Sequence, residues 1–489
     1  MSQDTSTAPS ATNAKKGIGL FGLISLVVSS SIGSGVFALS TDISAAAAPG
    51  PALIAWAISG IGFMALATSF GRLSIVRPDL NGIVAYAKEG FGPFVGFVSG
   101  WGYWLSIWIG NVAFGVMLAT AIGYFFPPFS GPLTVGAVAF ISVLNWIIIL
   151  LVNRGVEEAS VINAIVMACK LIPIFTFIVT MAILFDPALF TADFWGNVAN
   201  NLGGERAPGS VTIQIINCFM VMMWVFVGME GASVLGHRAR KKSDVSRATI
   251  LGCTALVIIY VAASVLPYGY LSREELMALD SPSMPYIFQH AVGSWGGAFI
   301  SAGLIVSIFG AWLSYTILAS EAMHEMAQMQ LLPRIFARLN TFGAPTACLI
   351  TTGAMIQVLS IVMLFSEAAY QFAYSLCTAS IVISWGLAAA YMARYAWTCR
   401  QEGQQGMLGS FLLGAFATAF LVVAITLSGI YQLMLCCIAY VPGIVFYAHA
   451  RREYGETIIL TGREKIIAIV IAVAAIAAVV MLVTGAITI

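Results

Sequence analysis

The feature that most constrains this chain is a series of apolar runs, each about 20 residues long, that recur along almost its whole length. A helix of that length crosses the hydrocarbon core of a bilayer. Backbone groups that face lipid must be paired within the chain, so such runs are expected to be helical. The pattern predicts about thirteen membrane-spanning helices, which begin near residues 18, 43, 92, 132, 158, 211, 248, 295, 345, 369, 408, 431 and 465.

The composition supports this interpretation. Of the 489 residues, 60% are hydrophobic and 9% are charged, whereas a soluble chain carries roughly 25% charged residues. The sequence therefore predicts an all-α polytopic membrane protein, with most of its outer surface in contact with lipid. A net charge of +1 without a basic patch argues against a nucleic-acid partner. The four histidines lie far apart in sequence, and no metal site or cofactor is expected.

Lysine and arginine positions indicate how the chain crosses the membrane, because cytoplasmic loops carry an excess of these residues. With the N-terminus inside, the alternation of spans places nineteen of the 22 on the cytoplasmic side. Arg206 and Arg273 fall outside, and Lys170 lies within a span. This predicts a bacterial-type inner-membrane protein with its C-terminus outside. The polar residues 1–16 lack the order of a secretory signal and are predicted to form a disordered cytoplasmic tail.

The stretch "SSSIGSGVF", residues 29–37, interrupts the first apolar run with serines and glycines. Irregular backbone at membrane depth is tolerated only where it is buried in protein or lines a wet cavity. Gly33 and Gly35 lower the cost of leaving helical geometry, and they let a ligand approach bare N–H groups. The segment therefore predicts a break in span one that contacts a ligand.

The sixth run repeats this feature in "MMWVFVGMEGASV", residues 222–234, where glycines surround Glu230. Paired glycine-interrupted segments in two halves of a membrane protein point to the binding site of a secondary transporter. The N-terminus of a half-helix attracts an anionic group such as a carboxylate, while unwound carbonyls can meet an ammonium. A zwitterion matches this chemistry.

Four motifs, "SSSIGSGVFALS", "FGPFVGFVSGWGYWLSIWIGN", "WVFVGMEGASV" and "LLPRIFARLN", resemble the amino acid–polyamine–organocation superfamily. They are most similar to its basic amino acid/polyamine antiporters, above all the arginine/ornithine exchangers. The resemblance implies a LeuT-like fold of two inverted five-helix repeats, with helices one and six broken. Residues 17–185 and 210–400 would form the repeats of a 17–400 transport core, with accessory helices in 401–489. Relatives are often homodimers, which makes a second copy a possible partner.

The resemblance also implies where an amino acid substrate binds. Ser34 and Gly35 match positions whose hydroxyl and backbone N–H receive the carboxylate, and Ser31 and Ile32 belong to the same segment. Trp224 matches an aromatic residue that packs on the substrate and helps to occlude it. This set is the predicted carboxylate end of the site.

The resemblance implies that the other end of the substrate lies between spans three and eight. Asn111 matches the polar residue that meets this end, and Ile107 lies one helical turn before it. Tyr315 stands where relatives have a tryptophan that stacks on the cationic side chain, and its ring keeps a π face. Glu321 follows six residues later, with either substrate contact or helix packing and gating as its role.

Two charges lie deep within predicted spans, where an ionisable group is costly unless it is paired or neutral. In sodium-independent relatives, a lysine near the position of Lys170 braces span one against span eight. A static brace and an active proton carrier are both compatible with the sequence. Glu230 matches an acid associated with proton coupling, and it could equally cap freed N–H groups at the break.

The leading functional interpretation is exchange of a cationic amino acid (arginine, lysine or ornithine) for a related amino acid or amine. The sequence holds no phosphate-binding loop, convergent nucleophiles or rings of like charge, so an ATPase, an enzyme and a channel are disfavoured. A proton symporter and a uniporter remain open, because they use the same broken helices. Exchange of histidine for histamine or of tyrosine for tyramine also remains open.

Overall fold

A computed structural model describes residues 18–80, 82–155, 160–203, 207–234, 239–366 and 368–487, so the predicted tail lies outside the described residues. The described chain is helical. Its helices are α1 Leu20–Ser31, α2 Gly35–Ala46, α3 Pro49–Val76, α4 Gly82–Phe91, α5 Pro93–Gly123, α6 Val135–Asn153, α7 Ser160–Ile183, α8 Pro187–Thr191, α9 Asn197–Leu202, α10 Val211–Val225, α11 Gly231–Val234, α12 Lys242–Val265, α13 Arg273–Ala278, α14 Ser283–Val292, α15 Ser294–Gln328, α16 Thr346–Val362, α17 Ala369–Gln401, α18 Met407–Ser428, α19 Ile430–Glu453 and α20 Gly462–Val483.

Within these ranges, 11 helices are long and apolar enough to cross a membrane, and the pair α1 and α2 makes a twelfth span. The predicted all-α polytopic class is therefore confirmed. The remaining predicted span corresponds to α10, which is apolar but has only 15 residues before the chain leaves helical geometry. Against about thirteen predicted spans, the described residues hold eleven, or twelve when the bent pair is counted as one span, because the sixth run breaks before it reaches spanning length.

Helix α5 forms the centre of the bundle, and 89% of its most apolar stretch is buried. It packs against α15 and α17, which are themselves long helices. Helix α20 is the opposite case, since only 11% of its apolar stretch is buried. In a bilayer this helix presents its side chains to lipid, whereas polar groups on α5 face protein.

Two contacts join connections that the predicted alternation of spans places on the same side of the membrane. On the side predicted to be cytoplasmic, the ammonium of Lys88 donates to the carbonyl of Met329 at 3.0 Å. On the opposite side, the amide of Asp186 donates to the carbonyl of Gly269 at 2.7 Å. Both contacts are compatible with the predicted alternation of the spans across the membrane.

Candidate functional site

The two predicted breaks are present and their backbones touch. Helices α1 and α2 meet at an angle of 50° across residues 32–34. Helix α10 ends at Val225, and Gly228 adopts a φ of +103°, which side chains rarely tolerate. The hydroxyl of Ser30 donates to the carbonyl of Gly228 at 2.7 Å. Any Cβ at Gly228 would lie 2.6 Å from the carbonyl oxygen of Ser30, so only glycine allows this approach.

A small pocket lies where the breaks meet. It is lined by Ser31, Gly33, Ser34, Gly35, Phe114, Trp224, Val225, Val227 and Tyr315. Its volume is about 10 Å³, which is room for about one water molecule. The pocket is therefore closed, because it is too small for an amino acid. An amino acid can enter only after some of the lining side chains move.

Aromatic rings close this pocket. The ring of Phe114 lies 4.9 Å from that of Tyr315 and 6.0 Å from that of Trp224, measured between centroids. Tyr374 stacks on the other side of Trp224 at 5.9 Å with an interplanar angle of 18°. The rings supply an apolar wall with π faces, which suits the stem and the charge of a long cationic side chain.

Ser34 and Trp224 share one partner on α17. The hydroxyl of Tyr370 forms a hydrogen bond of 3.3 Å with the hydroxyl of Ser34. The same oxygen accepts a hydrogen bond of 3.1 Å from the indole nitrogen of Trp224. Tyr370 thus joins spans one, six and ten directly over the pocket, and all three residues are buried.

The N-terminus of α2 is open toward the pocket. Ser34 occupies the capping position, but its side chain accepts no hydrogen bond from the helix. The first N–H groups of an α-helix have no partners within that helix. A Cβ at Gly35 would lie 2.8 Å from the indole nitrogen of Trp224, so the glycine keeps the backbone close to the pocket. An uncapped N-terminus of this kind attracts a carboxylate.

Asn111 has unused hydrogen-bonding capacity. Its amide nitrogen donates to the hydroxyl of Thr316 at 3.4 Å, while its side-chain oxygen is buried without a partner among the described residues. A buried acceptor without a donor costs about 1–3 kcal/mol. Ile107 lies one turn earlier on α5 and is buried. Neither residue lines the closed pocket, although Asn111 is one turn from Phe114, which does.

Tyr315 lines the pocket on α15, and its hydroxyl donates to the carbonyl of Val227 at 3.2 Å. This bond occupies a carbonyl that the break in span six leaves free. Glu321, further along α15, is partly exposed and does not line the pocket. The predicted contact between Glu321 and a substrate therefore stays a prediction.

Lys170 is fully buried on α7 and contacts the break in span one. Its ammonium donates to the carbonyls of Ser29 at 2.9 Å and Ile32 at 3.0 Å. On the opposite flank, the hydroxyl of Ser307 on α15 donates to the carbonyl of Gly33 at 3.3 Å. Carbonyls at the C-terminal end of a half-helix attract a cation, and Lys170 is placed to hold the end of α1. Its role as a brace of span one against span eight stays a prediction.

Glu230 lies at the break in span six and is 1% exposed. Its carboxylate accepts a hydrogen bond of 3.2 Å from the amide of Gly228. The same oxygen accepts another of 3.2 Å from the indole nitrogen of Trp385 on α17. The carboxylate therefore accepts from a backbone N–H at the break, as a capping acid would. Its bond to Trp385 is a second connection between spans six and ten, beside the bond between Trp224 and Tyr370.

The structure brings five predicted residues together around the pocket: Ser31, Ser34, Gly35, Trp224 and Tyr315. Sequence reasoning missed Phe114, Tyr370 and Tyr374. Tyr370 and Tyr374 lie four residues apart in the first turns of span ten, at helical spacing on one face. This spacing was the available signal, but aromatic pairs at that spacing are common in apolar cores.

Comparison with known proteins gives the family. The model of the amino acid permease family matches residues 18–473. The chain is 51% identical to the arginine/ornithine antiporter of Latilactobacillus sakei, over 97% of this chain and 99% of that protein. It is 37% identical to the arginine/ornithine antiporter of Pseudomonas aeruginosa, over 93% and 95% of the two chains. The arginine/agmatine antiporter of Chlamydia felis is 36% identical, over 90% and 91%. The resemblance in the motifs is confirmed: this chain belongs to the amino acid permease family of multi-pass membrane transporters.

Proposed function

We propose that this protein exchanges arginine for ornithine across a bacterial inner membrane by alternating access. The observation that carries the proposal is the pocket between two broken helices, with an open helix N-terminus on one side and aromatic rings on the other. The similar arginine/ornithine antiporters match 97% and 93% of this chain, which supports the proposal.

The α-carboxylate of the substrate binds at the start of α2. Ser34 offers its hydroxyl, and the first turn of α2 offers N–H groups that no side chain caps. A helix N-terminus stabilises an anion by about 0.3–2 kcal/mol. The hydroxyl of Ser34 also bonds the hydroxyl of Tyr370, so the carboxylate binds at the contact between spans one and ten.

The cationic end of the substrate lies between α5 and α15. The side-chain oxygen of Asn111 accepts from the guanidinium or ammonium group, which gives the buried acceptor its missing donor. The rings of Phe114 and Tyr315 face the same region and stabilise a cation by about 0.5–2 kcal/mol. Arginine and ornithine differ in length at this end and share the α-amino acid end, so one site serves both.

The helices around this site are arranged, in this proposal, as two inverted repeats of five spans, residues 17–185 and 210–400. The broken spans α1–α2 and α10–α11 open the two halves. Helices within 401–489 are accessory and offer lipid-facing surface to a second copy in a homodimer. The N-terminus is cytoplasmic and the C-terminus is outside, which keeps the basic loops inside.

Counterflow in proteoliposomes tests the proposal. Vesicles loaded with ornithine should take up labelled external arginine, whereas empty vesicles should take up almost none. Trp224→Ala should abolish uptake while the purified protein stays monodisperse. Trp195→Ala is the matched control, because Trp195 is 44% exposed on the outer side and should leave uptake unchanged.

Three outcomes would contradict the proposal. Arginine uptake into empty vesicles driven by a pH gradient would indicate a proton symporter. Uptake into empty vesicles without a gradient would indicate a uniporter. Counterflow of histidine or tyrosine, without counterflow of arginine, would show that the substrate pair is not arginine and ornithine.

A further inference from the structure

A second and larger cavity lies beside the closed pocket. Its volume is about 310 Å³, which is at the lower end of the range for small-molecule sites. It is formed by the end of α5, the connection that follows it, the segment before α14 and the start of α17. All of these belong to the side that the sequence predicts to be outside. We call this space the outer cavity.

The floor of the outer cavity is Tyr370. The hydroxyl of this residue bonds Ser34 and Trp224, which line the closed pocket. Tyr370 therefore connects the lining of the outer cavity with that of the closed pocket. The outer cavity is thus adjacent to the central site, and Tyr370 is a side chain that contacts both.

The outer cavity holds polar groups that lack partners. Ser366 is 8% exposed, and its hydroxyl has no hydrogen-bond partner among the described residues. Ser281 lines the same cavity, and its hydroxyl is also buried without a partner there. Buried hydroxyls normally find partners. Both hydroxyls are therefore available to a polar solute in the cavity.

The outer cavity also carries one acidic group. Asp280 lies at its edge, is exposed, and forms no ion pair with the described residues. Tyr286 lies beside it in the lining. Burial raises the pKa of the Tyr286 phenol above its ordinary value, and the nearby negative charge of Asp280 adds to this effect. The Tyr286 ring thus stays neutral and offers a π face next to a carboxylate, which is a pair that receives a guanidinium.

We propose that the outer cavity is a second binding site for the cationic amino acid, with Asp280 and Tyr286 receiving its charged side chain. The hydroxyls of Ser281 and Ser366 bind its polar groups, and Tyr370 holds it above the closed central pocket. This inference rests on the proposed function, because it assigns the same class of substrate to both sites. The outer cavity fills first, and the central site fills when Tyr370 releases Ser34.

Equilibrium dialysis of the purified full-length protein with labelled arginine tests the inference. The wild type should bind about two arginines per chain, one tightly and one weakly. Trp224→Ala removes the central site and should leave the weak site intact. Ser34→Phe, which fills the central pocket, provides an independent variant with the same expectation.

Asp280→Asn in the Trp224→Ala background should weaken the remaining site at least tenfold. Glu274→Gln is the matched control, since Glu274 is an exposed outer acid that does not line the cavity. Citrulline, which lacks the positive charge of arginine, should bind the outer cavity at least tenfold more weakly than arginine does.

The outcomes separate the two ideas. One arginine per wild-type chain, with none left in Trp224→Ala and Ser34→Phe, overturns the outer site and leaves the proposed function standing. Failure of the wild type to bind any arginine overturns the proposed function and this inference together. Equal losses in Asp280→Asn and Glu274→Gln overturn the assignment of Asp280.

Discussion

Replacement of Lys170 by methionine tests how the break in span one is held. Methionine has a similar length and is apolar, so it keeps the packing of α7 while it removes the ammonium. Two backbone carbonyls, those of Ser29 and Ile32, then lose their donor in a buried position. Each such orphaned acceptor costs about 1–3 kcal/mol, which gives about 2–6 kcal/mol for the pair.

This cost falls on the broken form of span one. If span one winds through its break, its freed carbonyls gain backbone donors, so the wound form does not suffer the loss. The global free energy of unfolding changes less, because removal of Lys170 also removes the desolvation cost of a buried ion, several kcal/mol. We therefore expect thermal unfolding close to that of the wild type together with a severe defect in transport.

The lower bound sets the expected size of this defect. A shift of about 2 kcal/mol toward the wound form lowers the ratio of broken to wound molecules about 30-fold. Apparent arginine affinity in dialysis and counterflow in proteoliposomes should fall in Lys170→Met, and the fall approaches about 30-fold where the wound form becomes the dominant one. Cys169→Ser is the control, because the neighbouring Cys169 is only half-buried and its substitution leaves the ammonium of Lys170 in place. Wild-type affinity and transport in Lys170→Met would refute the brace.

Three further substitutions probe the breaks and the floor of the outer cavity. Ser34→Phe should abolish transport, because a pocket of about 10 Å³ has no room for the ring, and unchanged arginine binding would remove Ser34 from the site. Tyr370→Phe loses both hydrogen bonds of the hydroxyl, worth about 1–3 kcal/mol together, so the closed form is weakened. Apparent arginine affinity should then rise at least fivefold, and weaker or unchanged binding would contradict a closing role. Gly228→Ala should lower the unfolding temperature and transport, because of its φ of +103° and its contact with span one. Gly386→Ala, where a Cβ meets open space, is its control, and equal effects would contradict the argument from close approach.

The sequence predicted the breaks because their cause is local. Gly33, Gly35 and Gly228 stand where the backbone leaves helical geometry or where another chain segment approaches it closely. Lys170 could be predicted for a similar reason, since a lone basic residue in an apolar run needs a nearby set of acceptors. In each case the residue itself is out of place in an apolar helix, although its contacts can lie far away in sequence, as the 141 residues between Lys170 and Ser29 show.

Tyr370 could not be predicted in the same way. Its partner Ser34 lies 336 residues away in sequence, and it stands in a continuous helix where aromatic side chains usually serve packing. Phe114 is similar, because it is one apolar residue among many on the buried helix α5. Which of these rings faces the pocket depends on how the long helices are rotated against each other, and hydropathy does not record this rotation.

The contacts at the break in span one are unequal, and this inequality indicates which side of the site opens first. Lys170 holds two carbonyls with charge-assisted hydrogen bonds, worth about 1.5–3 kcal/mol each, whereas Tyr370 holds Ser34 through one neutral bond of 3.3 Å, worth about 0.5–1.5 kcal/mol. A substrate carboxylate competes for the hydroxyl of Ser34 and leaves the carbonyls bound by Lys170 undisturbed. The start of α17 is therefore the part that yields when a substrate arrives from the outer cavity, while the end of α1 stays fixed to α7.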